Sequence, residues 1–310
     1  MLDHLDGTLL SVWGSSEKDI WAVGGPRGNA GFGSLAVRFD GASWRRAPTT
    51  GDTTYWWVNG TGPGDVWLVG EKGRITHWDG ASLKDLESGT TATLFGVVAF
   101  SPSDAWAVGG TPEGKTGAPN DVLLRWDGRS WSPVALPRTQ GRTFFKVWGQ
   151  SSEDLYVVGE VATVWHKKGS EWTLESEPPR AAGNLLTVFG CPGGGEVYAV
   201  GGRDVLRSDG KGAWTREGVT LFNDANGVSC GKAGEPVIVG LGGMKQRKAS
   251  GAWTEDVGSQ PFSDLHAAWV DPTGAIWAAG GNFLTGPAPN VRRDGVLARF
   301  GKGAVSSKLE

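Results

Sequence analysis

The sequence predicts an all-β chain folded as a seven-bladed β-propeller, with four antiparallel strands in each blade. Three observations carry that expectation. A short apolar stretch ending in Gly recurs as Trp21-Ala-Val-Gly24, Trp67-Leu-Val-Gly70, Trp106-Ala-Val-Gly109, Tyr156-Val-Val-Gly159, Tyr198-Ala-Val-Gly201, Val237-Ile-Val-Gly240 and Trp277-Ala-Ala-Gly280, at steps of 39 to 50 residues. A small apolar residue precedes each stretch, at Val12, Val58, Val97, Val147, Val188, Val228 and Ala268. An Asp-Gly pair follows in Arg38-Phe-Asp-Gly41, His77-Trp-Asp-Gly80, Arg125-Trp-Asp-Gly128 and Arg207-Ser-Asp-Gly210. A unit of this length cannot cover its own apolar faces, so the copies must stack on one another and close into a ring.

Each copy reads as strands A to D. The small residue marks strand A, the marker Gly ends strand B, and the basic-aromatic segment is strand C. Asp-Gly turns the chain into strand D, because both residues tolerate positive φ. Alternating β-branched and aromatic residues support strands throughout, and no stretch carries a helical stripe. The expected blades span 9–54, 55–92, 93–141, 142–183, 184–222, 223–262 and 263–310, in one domain covering 1–310. Residues 303–309 are expected to close the ring as the last blade's fourth strand, with residues 1–8 as the rival. An acid stands five residues before most marker glycines (Asp19, Asp65, Asp104, Asp154, Glu196, Glu235) and is expected to bond turn backbone.

Composition narrows the function classes. The 310 residues carry a formal net charge of −3 and no long basic run, which leaves little electrostatic drive toward nucleic acid or anionic lipid. No apolar window is long enough to span a bilayer, so membrane insertion is not expected. Cys191 and Cys230 fall at the ends of strand A in neighbouring blades, where a disulfide competes with two small buried residues because bonding demands a narrow Cα separation. Of the 17 Trp, all but Trp56 and Trp57 occupy repeat positions that fill the wedge between blades. Trp56 aligns with Leu10, Phe95 and Phe145 and is expected in the core. Trp57 aligns with Ser11, Gly96, Lys146, Thr187, Gly227 and Ala267, so its bulk needs a pocket or exposure.

Several motif matches dissolve into the repeat. Gly109 to Thr116 satisfies the phosphate-loop pattern, but Gly117-Ala-Pro-Asn120 follows where that chemistry needs a helix. Gly227-Val-Ser-Cys-Gly231 matches a nucleophile elbow yet aligns with strand A of the sixth copy. His4, His77, His166 and His266 lie in different copies without metal-ligand spacing, so neither a metal nor a cofactor is expected. Glu113, Asp121 and Asp294 lie outside the repeat pattern without the pairing that glycoside hydrolysis requires.

With strand A innermost, the B–C and D–A loops share one face of the disc. Its long insertions are 25–33, 111–121 and 282–295. One-sided elaboration of a repetitive scaffold points to a binding face. The expected contact residues there are Trp57, Phe32, Lys146, His266, Phe283, Asn290, Arg292 and Arg293.

The phrases Ser11-Val-Trp-Gly-Ser-Ser-Glu-Lys-Asp-Ile-Trp-Ala-Val-Gly24 and Leu124-Arg-Trp-Asp-Gly-Arg-Ser-Trp131 resemble the Trp-rich propeller repeats of secreted or envelope-associated bacterial proteins, those of myxobacteria especially. The Asp-Gly-x-x-Trp hairpin is more distantly similar to tectonin-type lectin repeats, which implies glycan binding. It is looser still against the Asp-box of sialidase-like propellers, from which it departs by a shorter Asp-to-Trp interval and the lack of an arginine triad. The expected function is a non-catalytic, monomeric recognition module for a glycan or protein ligand, in a secreted or cell-envelope setting if a leader has been removed. A polysaccharide-active hydrolase or lyase on the same face is the first alternative, and an envelope assembly scaffold the second.

Overall fold

The computed structural model describes residues 1–25, 34–111, 120–138, 141–175, 183–193, 195–282, 294–303 and 305–310. Among them, 28 strands form seven four-stranded antiparallel sheets, as the repeat predicts. The inner strands are Leu9–Ser16, Tyr55–Gly62, Thr93–Ser101, Phe144–Ser151, Thr187–Gly190, Ala225–Cys230 and Leu265–Val270. Each packs beside the next, and the seventh packs beside the first, so they ring a central axis.

Period-2 alternation in strand B sends side chains into two different interfaces. Ile20 and Ala22 join Trp277 and Leu297 in the core between blades 7 and 1. Trp21 and Val23 join Tyr55, Val58 and Leu68 between blades 1 and 2. The remaining five clusters likewise each draw on two consecutive blades. The core therefore lies between sheets, and no blade owns one.

The marker Gly is required by close approach. A Cβ on Gly159 would stand 2.2 Å from the Thr143 carbonyl oxygen, and one on Gly70 would stand 2.1 Å from that of Thr54. At the C–D turns, Gly41, Gly80 and Gly128 take φ of +93°, +93° and +92°. The preceding Asp does not share that conformation. Its carboxylate instead accepts the next backbone N–H groups, as Asp127 does from Arg129 (2.8 Å) and Ser130 (2.9 Å).

The recurring acid at the start of strand B differs from expectation, because its main partner is the basic residue of strand C. Asp19 accepts from Arg38 at 2.9 Å, Asp65 pairs with His77 at 2.7 Å, Asp154 with His166 at 2.8 Å and Glu196 with Arg207 at 2.7 Å. The strand C base also lies on the strand B aromatic, with Arg38 5.3 Å from the Trp21 ring centre and His77 stacked on Trp67 at 4.0 Å. His166 is the most enclosed of these, held between Asp154 and Glu175, whose other carboxylate oxygen accepts from the Trp214 indole.

Ring closure corrects the expected choice of terminus. Leu2–Asp6, not residues 303–309, is the fourth strand of the last blade, pairing Leu2 with Leu297 and Leu5 with Gly295. Leu2 and Leu5 are buried in the core between blades 7 and 1, against which Val305 and Leu309 of the tail pack only partly buried. The C-terminal tail crosses the same seam elsewhere. Leu309 bridges Trp44 in parallel, and the Glu310 N–H donates to the Trp44 carbonyl at 2.9 Å. Arg299 is the seventh blade's strand C base and has Ala275 where the others have an acid. It donates instead to the Lys302 and Gly303 carbonyls, at 2.8 and 2.9 Å.

Cys191 and Cys230 are joined by a disulfide, with Cα atoms 5.1 Å apart. Convergence of inner strands at the axis brings the two blades within bonding range. Closing a 39-residue separation removes unfolded-state entropy worth about 4 kcal/mol at 25 °C. Paired denaturant titrations with and without reductant should show a loss approaching that figure, and an unchanged midpoint would contradict it. Gly159→Ala is expected to cost at least ~3 kcal/mol, beyond ordinary overpacking, because the obstruction is backbone. Thermal unfolding of that variant checks it.

Candidate functional site

At the strand A entrance, one residue from each blade faces the axis: Leu10, Trp56, Phe95, Phe145, Leu186, Asn226 and His266. Backbone register explains why. In six blades the register slips by one residue at this point, so that Tyr55 pairs with Gly70 and Trp57 with Val69, leaving Trp56 extra. The same slip frees Leu10, Phe95, Phe145, Asn226 and His266. A bulge of this kind bends the strand and re-aims the side chain it leaves unpaired. With Trp57, Lys146 and Thr187, these residues enclose a cavity of about 300 Å³ on the face that carries the B–C and D–A loops.

One side of the cavity is aromatic. Trp56 meets Phe95 edge-to-face at 4.9 Å between ring centres, and Phe95 meets Phe145 edge-to-face at 5.4 Å. Trp56 is thus half-buried in the cavity wall, where the sequence suggested core. The other side is more polar, but its groups are engaged. Thr187 Oγ1 donates to the Asn226 carbonyl at 2.6 Å, and Asn226 Nδ2 donates to the Leu265 carbonyl at 3.0 Å. Burial pushes the His266 imidazole down to about 4, keeping it neutral at pH 7.

The next position along strand A is small in most blades for a steric reason. A Cβ on Gly227 would lie 2.9 Å from Ala267 Cα in the next blade, and one on Gly96 would lie 3.1 Å from Lys146 Cα. Trp57 and Lys146 are the large exceptions, and they meet. Lys146 belongs to blade 4, yet its Nζ lies 3.4 Å from the centre of the Trp57 ring in blade 2, crossing blade 3 where Gly96 has no side chain. On the way it donates to the Phe95 carbonyl at 2.9 Å. The side chain is buried, and removal from water drives its pKa well below the ordinary lysine value. Ring and carbonyl oppose that shift, and among the described residues no anion pairs with Nζ to complete the compensation.

Of the expected contact residues, the structure brings Trp57, Lys146 and His266 into one cavity. Phe32, Phe283, Asn290, Arg292 and Arg293 lie outside the described residues, as do Gly114, Lys115 and Thr116 of the phosphate-loop match. Ser229 of the elbow match is a buried inner-strand residue whose Oγ accepts the Val270 N–H at 3.3 Å. The sequence reading missed Leu10, Phe95, Phe145, Leu186, Thr187 and Asn226 as cavity walls. It also missed an apolar rim on the same face. Phe222 (50% exposed) and Phe262 (58%) stand on successive D–A connections, and Val161 (44%) stands on a B–C turn. Val161 holds φ +54° where the corresponding turns use Lys72 and Gly242, a conformation that costs a β-branched residue on the order of 1–2 kcal/mol.

Fold and cavity together define a β-propeller with an axial pocket. No protein-family model and no curated protein matches the chain. Solved structures do match it. A streptogramin B lyase structure superposes with TM-score 0.71 at 13% identity, covering 95% of this chain and 94% of that one. The WD40 β-propeller domain of Doa1 gives 0.66 at 10%, covering 94% and 93%. YCF48 bound to D1 peptide gives 0.57 at 18%, covering 76% of each. These neighbours include an enzyme and non-enzymes, and what they share with this chain is the fold.

The neutral His266 sets a pH response. Above pH 6.5 its contribution to stability is fully present. As pH falls toward 4, the unfolded chain takes a proton that the folded site refuses, and up to ~3 kcal/mol is lost. His266→Gln should flatten that part of the profile between pH 6.5 and 4, measured as denaturation midpoints of both proteins across the range.

Proposed function

We propose that this propeller is a non-catalytic recognition module whose axial cavity receives an apolar anchor from a protein or peptide segment, with the segment's flanks lying on the exposed rim. The observation that carries the reading is the cavity itself: one bulge residue from each of six blades, and Leu186 from the other, enclose an aromatic-walled space, and the polar groups beside it already have partners. Such a site rewards burial of an apolar group, which at about 25 cal/mol per Å² gives a Leu- or Phe-sized anchor roughly 1.5–3 kcal/mol. Phe222 and Phe262, exposed on D–A connections of the same face, would offer apolar contact to the flanks of such a segment. That a neighbouring propeller has been captured with D1 peptide agrees with this use of the fold.

A glycan is the second reading, favoured by exposed ring faces but not by the cavity, whose Lys146, Thr187 and Asn226 donors are directed to backbone carbonyls. A hydrolase or lyase stands behind it. The lyase neighbour shows that the fold accommodates an enzyme, yet among the described residues no carboxylate lines this cavity. A monomer in a secreted or envelope compartment remains our proposal, and the Cys191–Cys230 disulfide suits an oxidising one.

The test is selection of peptides from a random displayed library, run beside a glycan array. Peptides should enrich around an aromatic or aliphatic anchor. Trp57→Ala and Phe95→Leu should each weaken them at least tenfold, and Lys18→Ala on the opposite face should not. Glycan hits that depend on Trp57, with no enriched peptide, would replace this reading by the lectin one.

A further inference from the structure

Lys146 is not demanded by the architecture. Five other blades place Ser11, Gly96, Thr187, Gly227 or Ala267 at its position, and the ring closes around them equally well. A buried lysine ordinarily has a carboxylate partner, because an unpaired charge is costly away from water. Here Nζ has the Phe95 carbonyl and the Trp57 ring face, and among the described residues no carboxylate forms an ion pair with it. A neutral amine fits this setting better than an ammonium. Its two N–H bonds match the carbonyl and the ring, and its lone pair is left over. Burial lowers the pKa in the direction that keeps this lone pair available at neutral pH.

We propose that Lys146 is a nucleophilic amine that captures a small apolar aldehyde or ketone in the axial cavity as an imine. The cavity's about 300 Å³ admits a single ring or short chain, and Trp56, Phe95 and Phe145 offer it apolar walls. The step balances without a cofactor. The Nζ lone pair forms a bond to the carbonyl carbon while the C=O π pair moves to oxygen. An Nζ proton passes to that oxygen, giving a carbinolamine. Loss of water, with the second Nζ proton, leaves the C=N bond. Lysines in desolvated pockets acquire this reactivity because the free-base fraction rises about tenfold for each unit by which the pKa falls. The inference uses the same cavity as the peptide-recognition reading but does not require it.

The experiment exposes the intact protein to benzaldehyde at pH 7 with cyanoborohydride, which reduces an imine to a stable benzylamine, and locates the adduct by peptide mass mapping. Lys146 should be labelled at least tenfold faster than exposed Lys18, Lys72 or Lys211, and benzyl alcohol, a similar ring without a carbonyl, should slow it by occupying the cavity. The Lys146 labelling rate should level off well below the pH at which exposed lysines do. Lys146→Met should abolish the fast adduct. It should also be more stable than the parent at pH 7, with the difference shrinking as pH approaches 10.5, because the parent's unfolded chain takes a proton that its folded chain does not. Labelling of Lys146 no faster than the exposed lysines, or unaffected by benzyl alcohol, overturns the proposal. Peptides that bind without any fast adduct would sink this inference alone. An adduct without bound peptides would sink the recognition reading alone.

Discussion

Apolar cover shared between neighbouring sheets is the constraint on which everything else in this molecule rests. Each cluster is built from two consecutive blades, so a blade taken alone would expose both faces of its strand B. Large flat side chains suit the outward-widening wedge. Trp106 and Trp165 fill the interface between blades 3 and 4, while small Val97 and Val147 line the crowded centre. The taper that selects these sizes also draws the inner strands together. That convergence places Cys191 beside Cys230 and brings Gly96 against the Lys146 backbone.

The repeat made the architecture legible because a propeller imposes its demands seven times. Gly70 and Gly159 recur at one position since the Thr54 and Thr143 carbonyls occupy the space a side chain would need. What occurs once was harder to see. Nothing in the sequence ranks Leu2 and Leu5 above Val305 and Leu309 as closing residues, since both segments carry two apolar anchors and both end up packed against one seam. The disulfide depended on a separation that blade geometry sets and spacing does not. The recurring acids were assigned to turns because Ser-rich neighbours suit that role, whereas the partner that matters is cross-strand and invisible to local sequence.

The cavity was half legible. Trp57 stood out as a bulky residue among small ones, and Lys146 and His266 followed from its position. Trp56 was taken for core because it aligns with apolar Leu10, Phe95 and Phe145, but Trp56, Phe95 and Phe145 each follow another buried apolar residue, Tyr55, Leu94 or Phe144. Two large apolar residues in succession break the two-residue alternation of a strand, and a bulge is the arrangement that satisfies both. That doublet was the available signal. It also explains how a nearly sevenfold frame acquires an asymmetric interior: in six of the seven blades the bulge exposes one position, and that position is free of the packing rules that hold the rest uniform.

The N-terminal strand has its partner some three hundred residues away, at Leu297 and Asp294. A ribosome delivers Leu2–Asp6 long before the strand it completes, so the circle cannot be sealed until Asp294–Phe300 has emerged. Until then both edges of the array stand open, each with ladder groups ready to pair with a stranger. Because the tail also anchors on Trp44, tension applied through the two ends would load the join between first and last blades before any other part of the disc.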